Sequence, residues 1–244
     1  MTHGEGYIAN SAIPAIIRMD DINGTNILQS SASVFGTGAQ LNSAYTIAVD
    51  RIRNLVYFCT QSAPVIYRSN LDGTSTVAFP SLSATISTIT GIDVDNEGML
   101  YVVGYTNTII RYNPNTQTII AGPFTTSLTV PADVLFRDPY IYIANRATTA
   151  SGSGVTQLSI SNNTFGFIAH YGLYTGTANS TAPYFYGAYR FLAIRNDLII
   201  ADSSTMVAKL ISISPDPLGD NWIPFGQHGT TTSTPGNFYL FSSC

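Results

Sequence analysis

The stretch that decides the fold is Ile92-Asp93-Val94-Asp95, the turn Asn96-Glu97-Gly98, then Met99-Leu100-Tyr101-Val102-Val103 and, after a short loop, Thr108-Ile109-Ile110-Arg111-Tyr112-Asn113. Three short runs rich in β-branched and aromatic residues are set off by Asn, Asp and Gly, which tolerate the positive φ of tight hairpin turns. The first run of each unit, here interrupted by Asp93 and Asp95, is read as almost wholly apolar and is expected to be buried on both faces. The third mixes apolar and polar residues, as a more exposed strand should.

The same order recurs on both sides. Upstream it is Ile47-Ala48-Val49-Asp50, Leu55-Val56-Tyr57-Phe58-Cys59 and Val65-Ile66-Tyr67-Arg68-Ser69-Asn70. Downstream come Val134-Leu135-Phe136-Arg137, Tyr140 to Asn145 and Gly154 to Ile160. A further copy runs Phe191 to Arg195, Leu198 to Asp202 and Ala208 to Ile213. The spacing is about 42 to 48 residues, with one longer interval of about 58. No amphipathic helix intervenes, so parallel βαβ folds are disfavoured. Four-stranded units at this spacing predict an all-β chain, a β-propeller filling residues 1–244 as one domain. The N-terminus supplies a partial copy, Tyr7 to Asn10 and Ala15 to Asp20, that lacks its first strand. Asn237-Phe238-Tyr239-Leu240-Phe241 is the missing piece. Pairing of the two chain ends would close the ring and remove open sheet edges. Five blades follow from this count, or six if the segment from about 161 to 190 hides another.

Val34-Phe35-Gly36-Thr37-Gly38-Ala39-Gln40-Leu41-Asn42, followed by Ile47-Ala48-Val49-Asp50, resembles the NHL-repeat pattern, and Phe225-Gly226-Gln227-His228-Gly229 with Pro235-Gly236-Asn237-Phe238 repeats its front half. Asn54 to Phe58 through Arg68 to Gly73 is similar to the YWTD repeats of receptor propellers. Arg137 and Arg195 depart from the strand-ending Asp. The resemblance implies a ring with a central channel and loop-built faces. It also implies relatives that bind proteins, glycans or RNA, and distant ones that are lactonases or lyases holding a divalent metal.

Composition narrows the function. Charged residues make up 10% of the 244, against about 25% in soluble domains. Lys209 is the single lysine, so the polar surface must come from Ser, Thr, Asn, Gln and Tyr. Such a surface suits an extracellular or surface-exposed setting. The net charge of −4 and the lack of any basic stripe argue against nucleic-acid binding. No apolar run approaches the roughly 20 residues of a membrane span. Met1 to Gly6 reads as no secretory leader, so the chain either takes another route or has lost one. Cys59 and Cys244 are either two thiols or one disulfide.

No catalytic constellation is found. His3, His170 and His228 read as terminal or loop residues, and Ser151-Gly152-Ser153-Gly154 as a flexible loop rather than a nucleophile elbow. Asp50, Asp93, Asp95, Asp133 and Asp202 stand near strand ends. Asp50, Asp95 and Asp133 are the candidate ligands of a divalent ion such as Ca²⁺, which needs six to eight oxygens. The favoured reading is of carboxylates accepting hydrogen bonds from turn amides, with no cofactor. Asn23, Asn162 and Asn179 open sequons that matter only in a glycosylating host. The aromatic run between the last two full copies draws more attention: Tyr171, Tyr174, Tyr184, Phe185, Tyr186, Tyr189 and Arg190 in a long loop. Tyr and Arg bury apolar area while keeping a hydrogen-bonding tip, as interface anchors do. With His228 they form the expected binding face. The leading expectation is a non-enzymatic binding or structural module for a protein or glycan partner, with self-assembly open. A metal-dependent hydrolase or lyase using the channel, and a structural component of a virion or cell-surface assembly, are the alternatives.

Overall fold

The computed structural model describes the backbone of residues 6–10, 15–19, 32–35, 44–60, 63–146, 153–174, 184–185, 188–194, 197–202, 207–212 and 223–225, with side chains chiefly for 45–60, 63–146 and 153–172. Every described element is a strand. Sheet 1 holds β1 (Gly6–Asn10), β2 (Ala15–Met19) and β3 (Ala32–Phe35). Sheet 2 holds β4 (Ala44–Asp50), β5 (Leu55–Thr60), β6 (Ala63–Asn70) and β7 (Val77–Ala78). Sheet 3 holds β8 (Ile89–Val94), β9 (Leu100–Gly104), β10 (Thr108–Asn113) and β11 (Thr118–Phe124). Sheet 4 holds β12 (Pro131–Arg137), β13 (Tyr140–Asn145), β14 (Gly154–Ser161) and β15 (Thr164–Tyr171). A small parallel pair, β16 (Leu173–Tyr174) and β17 (Tyr184–Phe185), follows. Sheet 5 holds β18 (Ala188–Ile194), β19 (Asp197–Asp202), β20 (Val207–Ser212) and β21 (Ile223–Phe225).

Each sheet is an antiparallel meander in chain order. The first strands pack in succession, β4 on β8, β8 on β12 and β12 on β18. This is the blade-by-blade stacking of a β-propeller. Residues 237–241, the expected closing strand, lie outside the described residues. The segment 161–190 contains the fourth strand of sheet 4 and the parallel pair, so among the described residues it shows no further four-stranded sheet.

The burial pattern corrects one expectation. In sheets 2 to 4 the most completely buried strand is the second rather than the first. β9 is buried throughout, and β5 and β13 in all but their first residue. In β4, buried and half-buried residues alternate from Tyr45 to Asp50. A middle strand has hydrogen-bonded neighbours on both sides and a packed sheet against each face, while the first strand is paired on one edge only. Alternation along the middle strands then feeds two cores at once. Leu100 and Val102 enter the core between sheets 2 and 3, while Tyr101 and Val103 enter the one between sheets 3 and 4. Ile141 and Ile143 join that second core, and Tyr142 and Ala144 the one beyond it. Each such aliphatic side chain contributes about 1.5–3 kcal/mol.

The first strands share an irregularity. The ladder slips by one residue between Ala44 and Thr46, Ile89 and Gly91, Pro131 and Asp133, and Ala188 and Arg190. In all four cases it falls opposite the end of the second strand, so the extra residues are Tyr45, Thr90, Ala132 and Tyr189. Such bulges bend a strand and raise its twist. Beside one of them Gly91 runs against the next sheet: a Cβ there would lie 2.6 Å from the Asp133 Cα. Only glycine permits that approach.

Candidate functional site

Asp95 follows β8 and shapes the turn into β9. Its Oδ1 accepts the amides of Glu97 at 2.9 Å and Met99 at 2.8 Å, and Gly98 closes the turn at φ +83°. The turn-amide reading of this carboxylate therefore holds. Its second oxygen does more. Oδ2 accepts the Arg111 Nη2 at 2.7 Å and the Tyr101 hydroxyl at 3.3 Å. Arg111 rises from β10, and the same Nη2 reaches Glu97 Oε2 at 2.7 Å while Nη1 donates to Asn163 Oδ1 in sheet 4 at 3.0 Å. The guanidinium sits 5.7 Å from the Tyr101 ring centre, and that ring stacks on Phe136 of β12 at 5.3 Å and 4°.

Around this cluster opens a cavity of about 290 Å³ between sheets 3 and 4. Phe136, Pro139 and Ile160 form its apolar wall, and Asn96, Glu97 and Asp138 its rim. Asp95 is saturated, but Glu97 is 74% exposed with one oxygen unengaged by Arg111, and Asp138 is exposed on the turn between β12 and β13. Burial pulls the Arg111 guanidinium down, yet the hydrogen bonds of Asp95 and Glu97 outweigh it and leave its pKa raised. Burial also pushes the Tyr101 phenol up, so it stays protonated. Two carboxylates, Asp95 and Glu97, engage the one guanidinium, and Asp138 lines the same cavity beside its apolar wall.

The other expected site residues fall elsewhere. Asp50 ends β4, with Oδ1 on the Arg53 amide and Oδ2 on its guanidinium, both at 3.0 Å. Asp133 and Asp93 are neither turn residues nor clustered ligands. Asp93 accepts the Phe136 amide of sheet 4 at 2.6 Å, and Asp133 accepts the Phe191 amide of sheet 5 at 3.0 Å. Each carboxylate thus staples its own first strand to the next, one ladder position ahead. Among the described residues no three His, Cys, Asp or Glu side chains come together as a metal group.

Tyr171 ends β15 and is buried, its hydroxyl bonded to Gln157 Oε1, so it packs inside sheet 4 rather than standing on a loop. His170 lies on the same strand, Nδ1 3.1 Å from the Thr156 hydroxyl and Nε2 3.3 Å from the Ser153 carbonyl, and burial lowers its pKa. Tyr174 and Tyr184 are on the parallel pair, and Tyr189 and Arg190 on β18. The described residues of the expected long loop are therefore mostly strand, and residues 175–183 and 186–187 lie outside what is described. Tyr186, His3, His228, Asp202's side chain and Cys244 lie outside what is described, while Cys59 is a buried free thiol. Arg111, Phe136 and Asp138 were not anticipated as site residues. The available signal was an arginine at the same place in two copies, Arg68 and Arg111, within otherwise apolar strands.

No protein-family model and no curated protein matches the chain. Solved structures do. A chain from a nidogen/laminin complex is 12% identical over 98% of this chain and 85% of its own length, with a TM-score of 0.62. A structural genomics protein of unknown function from Bacteroides thetaiotaomicron is 14% identical over 94% of this chain, with a TM-score of 0.65; the match spans 57% of that protein. Hydrazine synthase of Kuenenia stuttgartiensis is 10% identical over 80% of this chain and 54% of its own, at 0.53. At these identities the likeness is one of fold, a β-propeller.

Proposed function

We propose that the chain is a non-enzymatic binding module of the NHL/YWTD-like kind, in which the rim between sheets 3 and 4 receives a basic side chain from a protein partner. One observation carries this reading: a cavity of about 290 Å³ in which the free valences of Glu97 and Asp138 stand above an apolar wall. A Lys or Arg side chain matches both halves, with its alkyl stem on Phe136, Pro139 and Ile160 and its charged head at the rim. Asp95 is engaged by Arg111 and turn amides, and burial keeps the Tyr101 phenol neutral. This is in keeping with a site that recognises a partner. The nidogen/laminin neighbour, a complex by its own description, is in keeping with this use of the fold. We propose the aromatic run of Tyr174, Tyr184, Tyr186, Tyr189 and Arg190 as a second contact surface separate from this rim, since β16 and the start of β18 lie at the other ends of the strands, in an extracellular or surface-exposed setting.

Calorimetric titration with the tripeptides Gly-Lys-Gly and Gly-Arg-Gly, against Gly-norleucine-Gly, tests the rim. The basic peptides should bind weakly, losing affinity with added salt. The norleucine peptide should not bind, and the double variant Glu97→Gln, Asp138→Asn should lose at least tenfold. Equal binding of all three peptides, or an unaffected double variant, would reject the assignment.

A further inference from the structure

An outer strand leaves one row of backbone N–H and C=O groups unpaired, and proteins usually blunt such edges with short strands, proline, charge or bulges. The outer strands here differ sharply. β3 has four residues and β7 two. β21 has three with Pro224 in the middle, and β11 is broken by Gly122 and Pro123, with two slips in its ladder. β15 has eight residues, Thr-Phe-Gly-Phe-Ile-Ala-His-Tyr, without a proline or a formal charge. Its one irregularity is a bulge, yet one that turns apolar side chains outward. The ladder to β14 slips between Phe167 and Ala169, so Ile168 is an extra residue and two successive large side chains both face solvent, Phe167 at 44% and Ile168 at 48% exposed. Among the described residues they are the only adjacent pair of exposed large apolar side chains.

We propose that the outer edge of β15, with which no strand pairs among the described residues, is a self-association surface, pairing antiparallel with the β15 of a second copy about a twofold axis. The occupant follows from the strand itself. Antiparallel pairing with its own copy sets each open donor against an open acceptor, and an isologous contact closes after two chains. An uncharged strand meets its copy without repulsion, and a net charge of −4 over 244 residues adds little. Phe167 and Ile168 of each copy are then covered across the junction. One strand edge is a small contact, so the dimer should form with rising concentration rather than be obligate.

Sedimentation of the full chain over a concentration series tests this. The wild type should pass from monomer to dimer. Phe167→Lys and Ile168→Lys should each weaken dimerisation at least tenfold with unchanged circular dichroism, whereas Ile52→Lys, on an exposed turn of sheet 2, should not. If either β15 variant misfolds, Thr164→Lys on the same edge replaces it. A wild type that stays monomeric throughout, a dimer indifferent to the β15 variants, or open-ended oligomers would overturn the proposal. Glu97→Gln should leave dimerisation unchanged, which separates this surface from the rim.

Discussion

Sheets 2 and 3 share one ladder and solve its polar positions differently. Asp50 and Asp95 occupy the same place, as do Tyr57 and Tyr101, and Arg68 and Arg111. In sheet 2 the turn carries Arg53, which binds Asp50 and reaches the Asn96 carbonyl of sheet 3 at 3.1 Å, filling the space above Gly98. Arg68 is then free to lie over the Phe79 ring at 5.8 Å. In sheet 3 the turn is one residue shorter and has no arginine. Asp95 takes its counter-charge from the strand position instead, and the space that Arg53 fills in one junction stays open in the next. A cavity can thus arise in a repeat protein when one turn loses a single side chain.

The largest contrast should come from the two arginines. Arg111→Met strands Asp95 and Glu97 beside each other in a part-buried site and should cost about 3 kcal/mol. Arg53, whose side chain is 34% exposed, should cost less than about 1 kcal/mol as Arg53→Met. Urea unfolding of the two variants measures the gap, and equal losses would mean that the junctions are energetically alike.

Next is Asp93, at the place where sheet 2 has Ala48. Burial, with Asp133 nearby, pushes its carboxyl up to about 7 against the pull of two amides and Arg137. An unfolded aspartate titrates near 4. Between those values the folded chain keeps a proton that the unfolded chain releases. The contribution is therefore fully present below about pH 4 and lost as the pH rises through about 7. Asp93→Asn keeps an acceptor and removes the titration. Because the residue as a whole is only half-buried, wild-type stability relative to this variant should fall by on the order of 2 kcal/mol from pH 4 to 8. A pH-independent difference would make the Asp93 staple no more sensitive than Ala48.

The smallest effect separates Ser69 from Tyr112, which again share a rung. The Ser69 hydroxyl donates to the Thr74 carbonyl at 2.9 Å, while the buried Tyr112 hydroxyl has no partner. Tyr112→Phe should be neutral or stabilising by up to about 1 kcal/mol in a thermal melt, since it removes an unsatisfied polar group.

Much of the fold was legible because the first three strands of each unit are dense in Val, Ile and Tyr and punctuated by Asn, Asp and Gly. Thr108–Asn113 and Tyr140–Asn145 were read to the residue. The fourth strands were not. Thr118–Phe124 contains Gly122 and Pro123, Thr164–Tyr171 contains Gly166, and their outer positions follow no clean two-residue period. The candidate site was less legible still. Asp95 stood out as a strand-ending carboxylate, but Arg111 joins it only across the sheet, and Phe136 and Asp138 only from the next sheet. Contacts between repeats depend on their relative rotation, which spacing along one chain does not encode.

The slip shared by the four first strands has a consequence for exchanging parts between units. Upstream of Tyr45, Thr90, Ala132 or Tyr189, odd and even positions serve one pair of faces; downstream they trade places. A chimaera cut at matching sides of that residue keeps every side chain facing its own core. One cut across it turns a strand inside out, however similar the sequences joined.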